Sequence, residues 1–86
     1  MTSSARHETD KRVVRTKKAI RSALFRIMEN KDIADITISE LTAEANVNRR
    51  TFYTHYRNIT DILTEVETDF VTALKQLADN FDPQNY

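Results

Sequence analysis

Apolar residues recur at helical spacing along the first part of the chain. Their period predicts a helix from about Lys11 to Asn30, because side chains three and four residues apart share one face. The apolar stripe of this helix consists of Val13, Ile20, Ala23, Leu24, Ile27 and Met28. Phe25 is expected to widen the buried face. The polar residues 1–10 are predicted to be a disordered arm, and residues 32–36 a connector whose isoleucines reach back into the core.

Capping residues mark the second helix and the turn that follows it. Thr37 followed by Glu40 fits a capping box, in which the threonine hydroxyl and the glutamate carboxylate each satisfy a free amide. The helix that starts there is predicted to end at Ala45. Asn46 then occupies the turn, since asparagine tolerates the left-handed conformation that a tight helix–helix turn needs. Val47 is expected to join the turn to the core.

A short third helix is predicted from Arg49 to about Tyr56, with Asn48 as its N-cap. Phe52 and Tyr56 are four residues apart, so both are expected to face the core. The other side chains of this helix then point outward or to its flanks: Arg49, Arg50, Thr51, Tyr53, Thr54 and His55. Two short helices joined by a tight turn suit a helix-turn-helix, whose second helix can enter the major groove of DNA.

The fourth helix is predicted to be long, from the cap Asn58 to about Asn80. Its apolar stripe consists of Ile59, Ile62, Leu63, Val66, Phe70, Ala73, Leu74, Leu77 and Phe81. At ~1.5 Å per residue this helix is about 33 Å long, which exceeds the height of a small three-helix cluster. We therefore expect the end from Phe70 to Phe81 to project, with an apolar stripe that another domain or a second chain covers.

These elements predict an all-α fold, a three-helix, homeodomain-like helix-turn-helix bundle plus a long fourth helix. The composition agrees, because the 86 residues contain no glycine and a single proline, Pro83. The absence of cysteine excludes disulfides and thiolate metal sites. The polar N-terminus does not fit a signal peptide, and no apolar run is long enough to cross a membrane. A cytoplasmic location is expected.

The net charge of zero conceals a division along the chain. Residues 1–58 hold 12 Lys/Arg and 7 Asp/Glu, a net charge of +5, whereas residues 59–86 hold 1 and 6, a net charge of −5. Such a division is typical of a chain with one end that meets a polyanion, although solubility alone also accounts for charged faces. Within the basic half, one face of the first helix carries Arg12, Arg15, Lys17, Lys18 and Arg21.

Arg49 and Arg50 follow the N-cap of the third helix directly. Cations at this end oppose the helix dipole, so their placement lowers local stability. This favours DNA contact over the alternative, two solvated surface arginines. The basic face of the first helix supports the same function only because the first helix of a helix-turn-helix crosses the DNA backbone.

Catalysis finds little support in this sequence. The only histidines are His7 and His55, and there is no glycine-rich phosphate loop or metal-ligand cluster. Glu65 and Asp69 lie one turn apart, but they are expected to be solvated on the outer face of the fourth helix rather than paired for acid–base chemistry. The sequence therefore predicts no enzyme, no cofactor and no metal site.

With these residues placed, the chain resembles the N-terminal DNA-binding domain of the tetracycline-repressor (TetR) family of bacterial transcription regulators. The resemblance covers roughly Lys17 to Val66. The first-helix apolar pattern matches, as does Ile36-Thr37-Ile38 at the entry to the second helix. The positions that match the most specific part of the family motif are Leu41, Ala45, Val47, Asn48, Thr51, Phe52, Tyr53, His55 and Tyr56.

The resemblance implies a role for each matching position. Thr37 and Ser39 would contact phosphate or the nearest base. Arg49, Arg50 and Thr51 would read base edges, with Thr54 close to the bases. Tyr53, His55 and Arg57 would bind phosphates on either side of the groove. The predicted DNA-binding residues are therefore Thr37, Ser39, Asn48, Arg49, Arg50, Thr51, Tyr53, Thr54, His55 and Arg57, together with Arg15 and Lys18 of the first helix.

Three positions depart from the family pattern. Asn46 replaces the usual glycine of the turn, Arg50 stands where a small residue is common, and Ile59 stands where a phosphate-binding lysine often begins the fourth helix. With that lysine lost, the amide dipole at the helix start is expected to serve the phosphate instead.

The resemblance also implies a longer parent protein. Residues 11–58 would be the DNA-binding domain, and residues 59–86 would link it to a C-terminal domain that makes a homodimer and binds a small-molecule inducer. The dimer would act on a palindromic operator, most simply as a repressor. The alternative is a protein-interaction module that keeps the helix-turn-helix scaffold without reading DNA.

Overall fold

The computed structural model describes residues 2–81, and the side chains of residues 11–81. In this range four α-helices follow one another: α1 (Thr2–Met28), α2 (Ile38–Ala45), α3 (Arg49–His55) and α4 (Ile59–Asn80). A single 3₁₀ turn, Ile33–Asp35, lies in the connector between α1 and α2. No strand occurs in the described range, and the prediction of an all-α fold with a long fourth helix is confirmed.

The core lies where α1, α2 and α3 meet the first turns of α4. Its buried side chains are Ile20, Ala23, Leu24, Ile36, Leu41, Phe52, Tyr56 and Ile62. Partly buried apolar residues surround them: Ile27, Ile38, Ala45, Val47, Ile59, Leu63 and Val66. Burial of one large aliphatic or aromatic side chain stabilises a fold by about 1.5–3 kcal/mol. The core therefore holds α3 firmly by one face and leaves the opposite face available.

All three predicted N-caps are present. The Thr37 hydroxyl accepts from the Glu40 amide at 3.1 Å, which begins α2. The side-chain oxygen of Asn48 accepts from the Thr51 amide at 2.7 Å, and that of Asn58 from the Asp61 amide at 2.9 Å. Each bond satisfies one amide that the helix itself leaves free, so the cap fixes where the helix begins.

The turn between α2 and α3 is closed by Asn46 in the left-handed conformation, with φ 59° and ψ 42°. The amide of Asn46 donates to the carbonyl of Ala43, and the amide of Val47 donates to that of Thr42. These two bonds form a Schellman motif, and Val47 packs against the core as the apolar residue that accompanies it. The prediction for Asn46 and Val47 is confirmed.

Two predictions for α1 are wrong. The helix begins at Thr2, nine residues before the predicted start at about Lys11, and the disorder of residues 1–10 stays a prediction. Extending an existing helix fixes only one residue for each added hydrogen bond, and this segment has no glycine or proline to interrupt it. Phe25 is 46% exposed rather than buried. It lies one residue beyond Leu24, about 100° further around the helix, where no neighbouring element covers it.

The second half of α4 projects from the bundle, as predicted. Its large apolar residues are exposed, from 48% at Leu74 to 64% at Phe70, and Phe81, the C-cap that follows it, is 74% exposed. By contrast, Ile62 in the first turn is fully buried. Only the start of α4 therefore belongs to the helix-turn-helix core.

Candidate nucleic-acid interface

Helix α3 presents a polar face to solvent because its apolar face is in the core. Phe52 is fully buried and Tyr56 nearly so. The exposed residues of α3 are Arg49, Arg50, Tyr53 and Thr54, whereas Thr51 and His55 are half-buried. One α-helix fits the major groove of B-DNA, so this face has the form that groove binding requires.

The two arginines at the start of α3 are held differently. Arg49 donates from Nη2 to the hydroxyl oxygen of Ser39 at 2.6 Å, which joins the first turn of α3 to the first turn of α2. The side chain of Arg50 has no hydrogen-bond or ion-pair partner among residues 11–81. No carboxylate in that range binds either guanidinium. Both cations are thus free to meet an anion from outside this part of the chain.

The remaining α3 residues line the flanks of this face. The ring of Tyr53 meets that of Phe52 edge-on with centroids 5.4 Å apart, and the tyrosine is 52% exposed. The Thr54 hydroxyl donates to the Arg50 carbonyl at 3.0 Å. His55 lies beside Tyr56, with ring centroids 6.4 Å apart. Packing against Phe52 and Tyr56 of the core therefore orients the rings of Tyr53 and His55 before any ligand binds.

Arg57 lies two residues beyond the C-terminal end of α3, and 90% of its side chain is accessible. Its backbone amide and its Nε both donate to the Asp61 carboxylate, at 3.0 and 3.2 Å. The bond from this amide is the main reason that the pKa of Asp61 is lowered. The guanidinium is therefore steered by Asp61 but keeps most of its donors open to solvent.

The structure brings the predicted residues of α2 and α3 onto one surface, and two further predicted residues lie on α1. Thr37 and Ser39 at the start of α2 are exposed and connect to α3 through the bond between Ser39 and Arg49. Arg15 and Lys18 are exposed on α1, and no hydrogen bond or ion pair joins them to α3 within residues 11–81. Asn48 is exposed, but its side chain is engaged as the N-cap of α3.

Comparison with known proteins places this geometry in a family. Residues 20–66 match the sequence profile described as "Bacterial regulatory proteins, tetR family". The match covers just over half of the 86 residues and includes all of α2, the turn and α3. The chain belongs to the TetR family. Membership supports a role in DNA-binding transcription regulation.

One relative is an HTH-type (helix-turn-helix) regulator from Bacillus subtilis (strain 168), named "Uncharacterized HTH-type transcriptional regulator YxbF". The two are 44% identical over 57 residues, which are 65% of this chain and 15% of the relative. This chain therefore spans only a small part of the length of that relative. No solved structure matches the chain significantly.

The three departures from the TetR pattern have distinct structural settings. Asn46 adopts the conformation that the usual glycine would adopt. Arg50 adds an exposed cation to the first turn of α3, on the face of that helix that points to solvent. Ile59 packs against the core from the first position of α4, so its replacement of a lysine exchanges a surface cation for apolar contact.

A network around Glu65 was not predicted from the sequence. The Glu65 carboxylate accepts from Lys17 Nζ at 2.7 Å, from Arg21 Nε at 3.1 Å and from the Tyr56 hydroxyl at 2.6 Å. Arg21 Nη2 also donates to Asp69 at 2.8 Å. The prediction that Glu65 is solvated on an outer face is wrong, because α1 lies beside this face of α4; Asp69 is exposed, as predicted, with 60% of its side chain accessible. The sequence did contain a signal for this network. Lys17 and Arg21 are four residues apart on one helix, and Glu65 and Asp69 are four residues apart on another.

The network changes the protonation of its members. Burial disfavours the charge of Glu65, but hydrogen bonds from Lys17, Tyr56 and Arg21 outweigh burial and lower its pKa to about 2. Burial and the bond to Glu65 raise the pKa of Tyr56 to about 12. At neutral pH, α4 therefore carries a fixed anion that holds two α1 cations and a neutral tyrosine hydroxyl.

Residues 11–81 contain no group of three or more histidines and acidic residues arranged to hold a metal ion. None of the helices described in this range combines the length and the apolar character that crossing a bilayer needs.

Proposed function

We propose that this chain is the sequence-specific, double-stranded-DNA-binding part of a TetR regulator, most simply a repressor, with α3 in the major groove. The observation that carries the proposal is the pair of exposed arginines on the first turn of α3, which no carboxylate in residues 11–81 neutralises. An arginine can donate two hydrogen bonds to the O6 and N7 atoms of guanine, the commonest specific contact in this groove.

The exposed surface supports a division of roles. Arg49, Arg50 and Thr51 contact base edges, and Thr54 lies close to them. Contacts to phosphate fix the register of the helix but carry no sequence information. The residues proposed for phosphate are Thr37, Tyr53, His55 and Arg57, with Arg15 and Lys18 where α1 crosses the backbone.

The parent protein is proposed to act as a homodimer on a palindromic operator in the bacterial cytoplasm, associated with the nucleoid when bound. A C-terminal domain outside this chain would supply the dimer contacts and an inducer site. The exposed apolar end of α4 supports this arrangement, because a contiguous exposed stripe that includes Phe70 and Leu77 is typical of a surface that another part of the protein or a second chain covers. Two half-sites on one operator would also add the affinity that a single domain lacks.

Replacement of the arginines tests the proposal. Duplexes selected from a random library define the preferred sequence, and fluorescence anisotropy then measures affinity. Arg50→Ala should cost about 1–3 kcal/mol and relax preference at one base pair, and Arg49→Ala should do the same at another. Lys75→Ala removes the same charge from an exposed site on the projecting part of α4 and is the matched control. An unchanged preference when both arginines are replaced would remove them from base recognition.

A protein-interaction module is the second candidate. The exposed apolar residues of α4 and the apolar Ile59 at its start favour this function. Salt separates the two candidates. Affinity for duplex DNA should fall steeply between 50 and 200 mM salt, because phosphate contacts release counterions. Duplex binding that is absent at low salt, or that does not respond to salt, would favour the protein-interaction module.

A further inference from the structure

Glu65 connects three helices through a single carboxylate. It lies in the second turn of α4, and it holds Lys17 and Arg21 of α1 as well as Tyr56, the C-cap that follows α3. Only 26% of its side chain is exposed, and the two cations are 31% and 27% exposed. Water screens such half-buried pairs less than exposed ones, so the contacts are more persistent than ordinary surface ion pairs.

Of the two cations, Lys17 lies beside the C-terminal end of α3, at the margin of the proposed DNA-binding surface. Lys17 Nζ is 5.6 Å from the centroid of the Tyr56 ring. Tyr56 stands between His55 and Arg57 in the chain, and both of these are proposed to bind phosphate. A lysine side chain released from Glu65 can therefore reach a DNA strand that passes this end of α3.

We propose that Glu65 is a positioning residue that increases discrimination between operator and random DNA. It withholds Lys17 and Arg21 from phosphate and anchors Tyr56, the C-cap of the groove-binding helix. Contacts to phosphate strengthen binding to every sequence alike. Keeping two cations off the backbone thus lowers non-specific affinity and leaves base recognition intact. This role rests on the proposed DNA binding.

Glu65→Gln tests the withholding of the cations, because it keeps the shape of the side chain and removes its charge. Binding of the 86-residue chain to a random-sequence duplex is measured by anisotropy from 50 to 200 mM salt. One released cation should steepen the slope of log affinity against log salt by about 0.9, and two by about 1.8. The ratio of the affinities at the two salt concentrations then grows about fourfold or about tenfold.

Glu67→Gln is the matched control. Glu67 lies on the same helix, is exposed and has no hydrogen-bond or ion-pair partner among residues 11–81. The Glu67→Gln variant makes the same change in net charge as Glu65→Gln. It should leave the slope of log affinity against log salt at the wild-type value. Glu65→Asp retains the charge and should remain close to wild type in slope. A slope that changes equally in Glu65→Gln and Glu67→Gln would overturn the role of Glu65.

Two further variants keep the test decisive if Glu65→Gln loses helix content. Lys17→Gln should not change the slope, because Lys17 is already withheld in the wild type; a slope shallower by about 0.9 would show that Lys17 binds phosphate and would overturn the proposal. Tyr56→Phe removes only the hydroxyl bond, so it should broaden operator preference at an unchanged slope. Unchanged preference would contradict the anchoring of Tyr56.

The outcomes separate this inference from the proposed function. A wild-type chain that binds no duplex even at 50 mM salt would overturn both. A wild-type chain that binds duplex with a steep salt dependence, but with the same slope in Glu65→Gln, would overturn the role of Glu65 alone.

Discussion

Arg49 and Arg50 are neighbours in sequence but differ in their side-chain contacts. The Ser39 hydroxyl holds the guanidinium of Arg49 at 2.6 Å, whereas the side chain of Arg50 is unattached within residues 11–81. A side chain that is ordered before binding loses less conformational entropy when it meets its partner. Arg49 is therefore the better preorganised of the two for a bidentate contact, and Arg50 has the larger range of positions it can reach.

Ser39→Ala should weaken DNA binding through Arg49. We expect operator affinity to fall by about 1 kcal/mol, roughly fivefold, since a hydrogen bond to an exposed charged group contributes little more. The base preference lost should be the same one that Arg49→Ala removes. A double-mutant cycle measured by anisotropy checks this, with Ser39→Ala having no further effect once Arg49 is alanine. Fully additive losses would mean that Ser39 touches DNA independently, as the sequence predicts for it.

At the scale of elements, the turn between α2 and α3 sets the angle at which the polar face is presented. The turn depends on Asn46, whose φ of 59° lies in a region that most residues avoid. Asparagine is tolerated there better than alanine, because its short polar side chain interacts with the nearby backbone. Glycine adopts the same conformation without steric cost but adds flexibility to the unfolded chain.

Asn46→Ala should therefore lower the free energy of unfolding by about 1 kcal/mol, and Asn46→Gly should change it by less than about half of that. Urea denaturation followed by circular dichroism provides the measurement. The glycine variant is the internal control, since both replacements remove the same side chain and only alanine retains a Cβ. Equal destabilisation by the two would mean that lost side-chain contacts, and not backbone strain, determine the effect.

The elements that the sequence predicts well are those determined by local interactions. Each N-cap joins residues three positions apart, and the turn at Asn46 depends on one backbone conformation. The exposure of α3 follows in the same way, because the two core aromatics of that helix fix which side faces outward. These features need no knowledge of which helix lies beside which.

Long-range neighbours account for what the sequence does not predict. Phe25 fits the helical spacing of a wide apolar face, but its burial depends on a neighbour that is absent. Glu65 and Lys17 are 48 residues apart, so their pairing becomes visible only when α4 lies against α1. The bond between Ser39 and Arg49 likewise depends on the angle between two helices, and it links a residue predicted to touch DNA with one predicted to read it.

For the whole molecule, the division of charge between the halves of the chain has two consequences. Part of it is neutralised internally, since Glu65 and Asp69 of the acidic half bind Lys17 and Arg21 of the basic half. The remaining free cations on α1 include Arg15 and Lys18, which have no partner among residues 11–81. The ion pairs therefore fasten α4 to the bundle and also limit how much positive charge is left for a polyanion.

This fastening should make stability depend on pH. The pKa of Glu65 falls from its ordinary 4.5 to about 2 on folding. A carboxyl whose pKa is lower in the folded state stabilises the fold above its unfolded pKa, and this stabilisation is lost as the pH falls from about 5 to 2. The full shift corresponds to about 3 kcal/mol, which partial exposure of the side chain reduces to about 2 kcal/mol.

Wild type should therefore exceed Glu65→Gln in stability at pH 7, and the difference should shrink towards zero near pH 2, because a protonated glutamate resembles glutamine. Urea unfolding at several pH values measures it, with Glu67→Gln as the control for a change in net charge. Parallel curves for wild type and Glu65→Gln would show that Glu65 does not couple folding to protons.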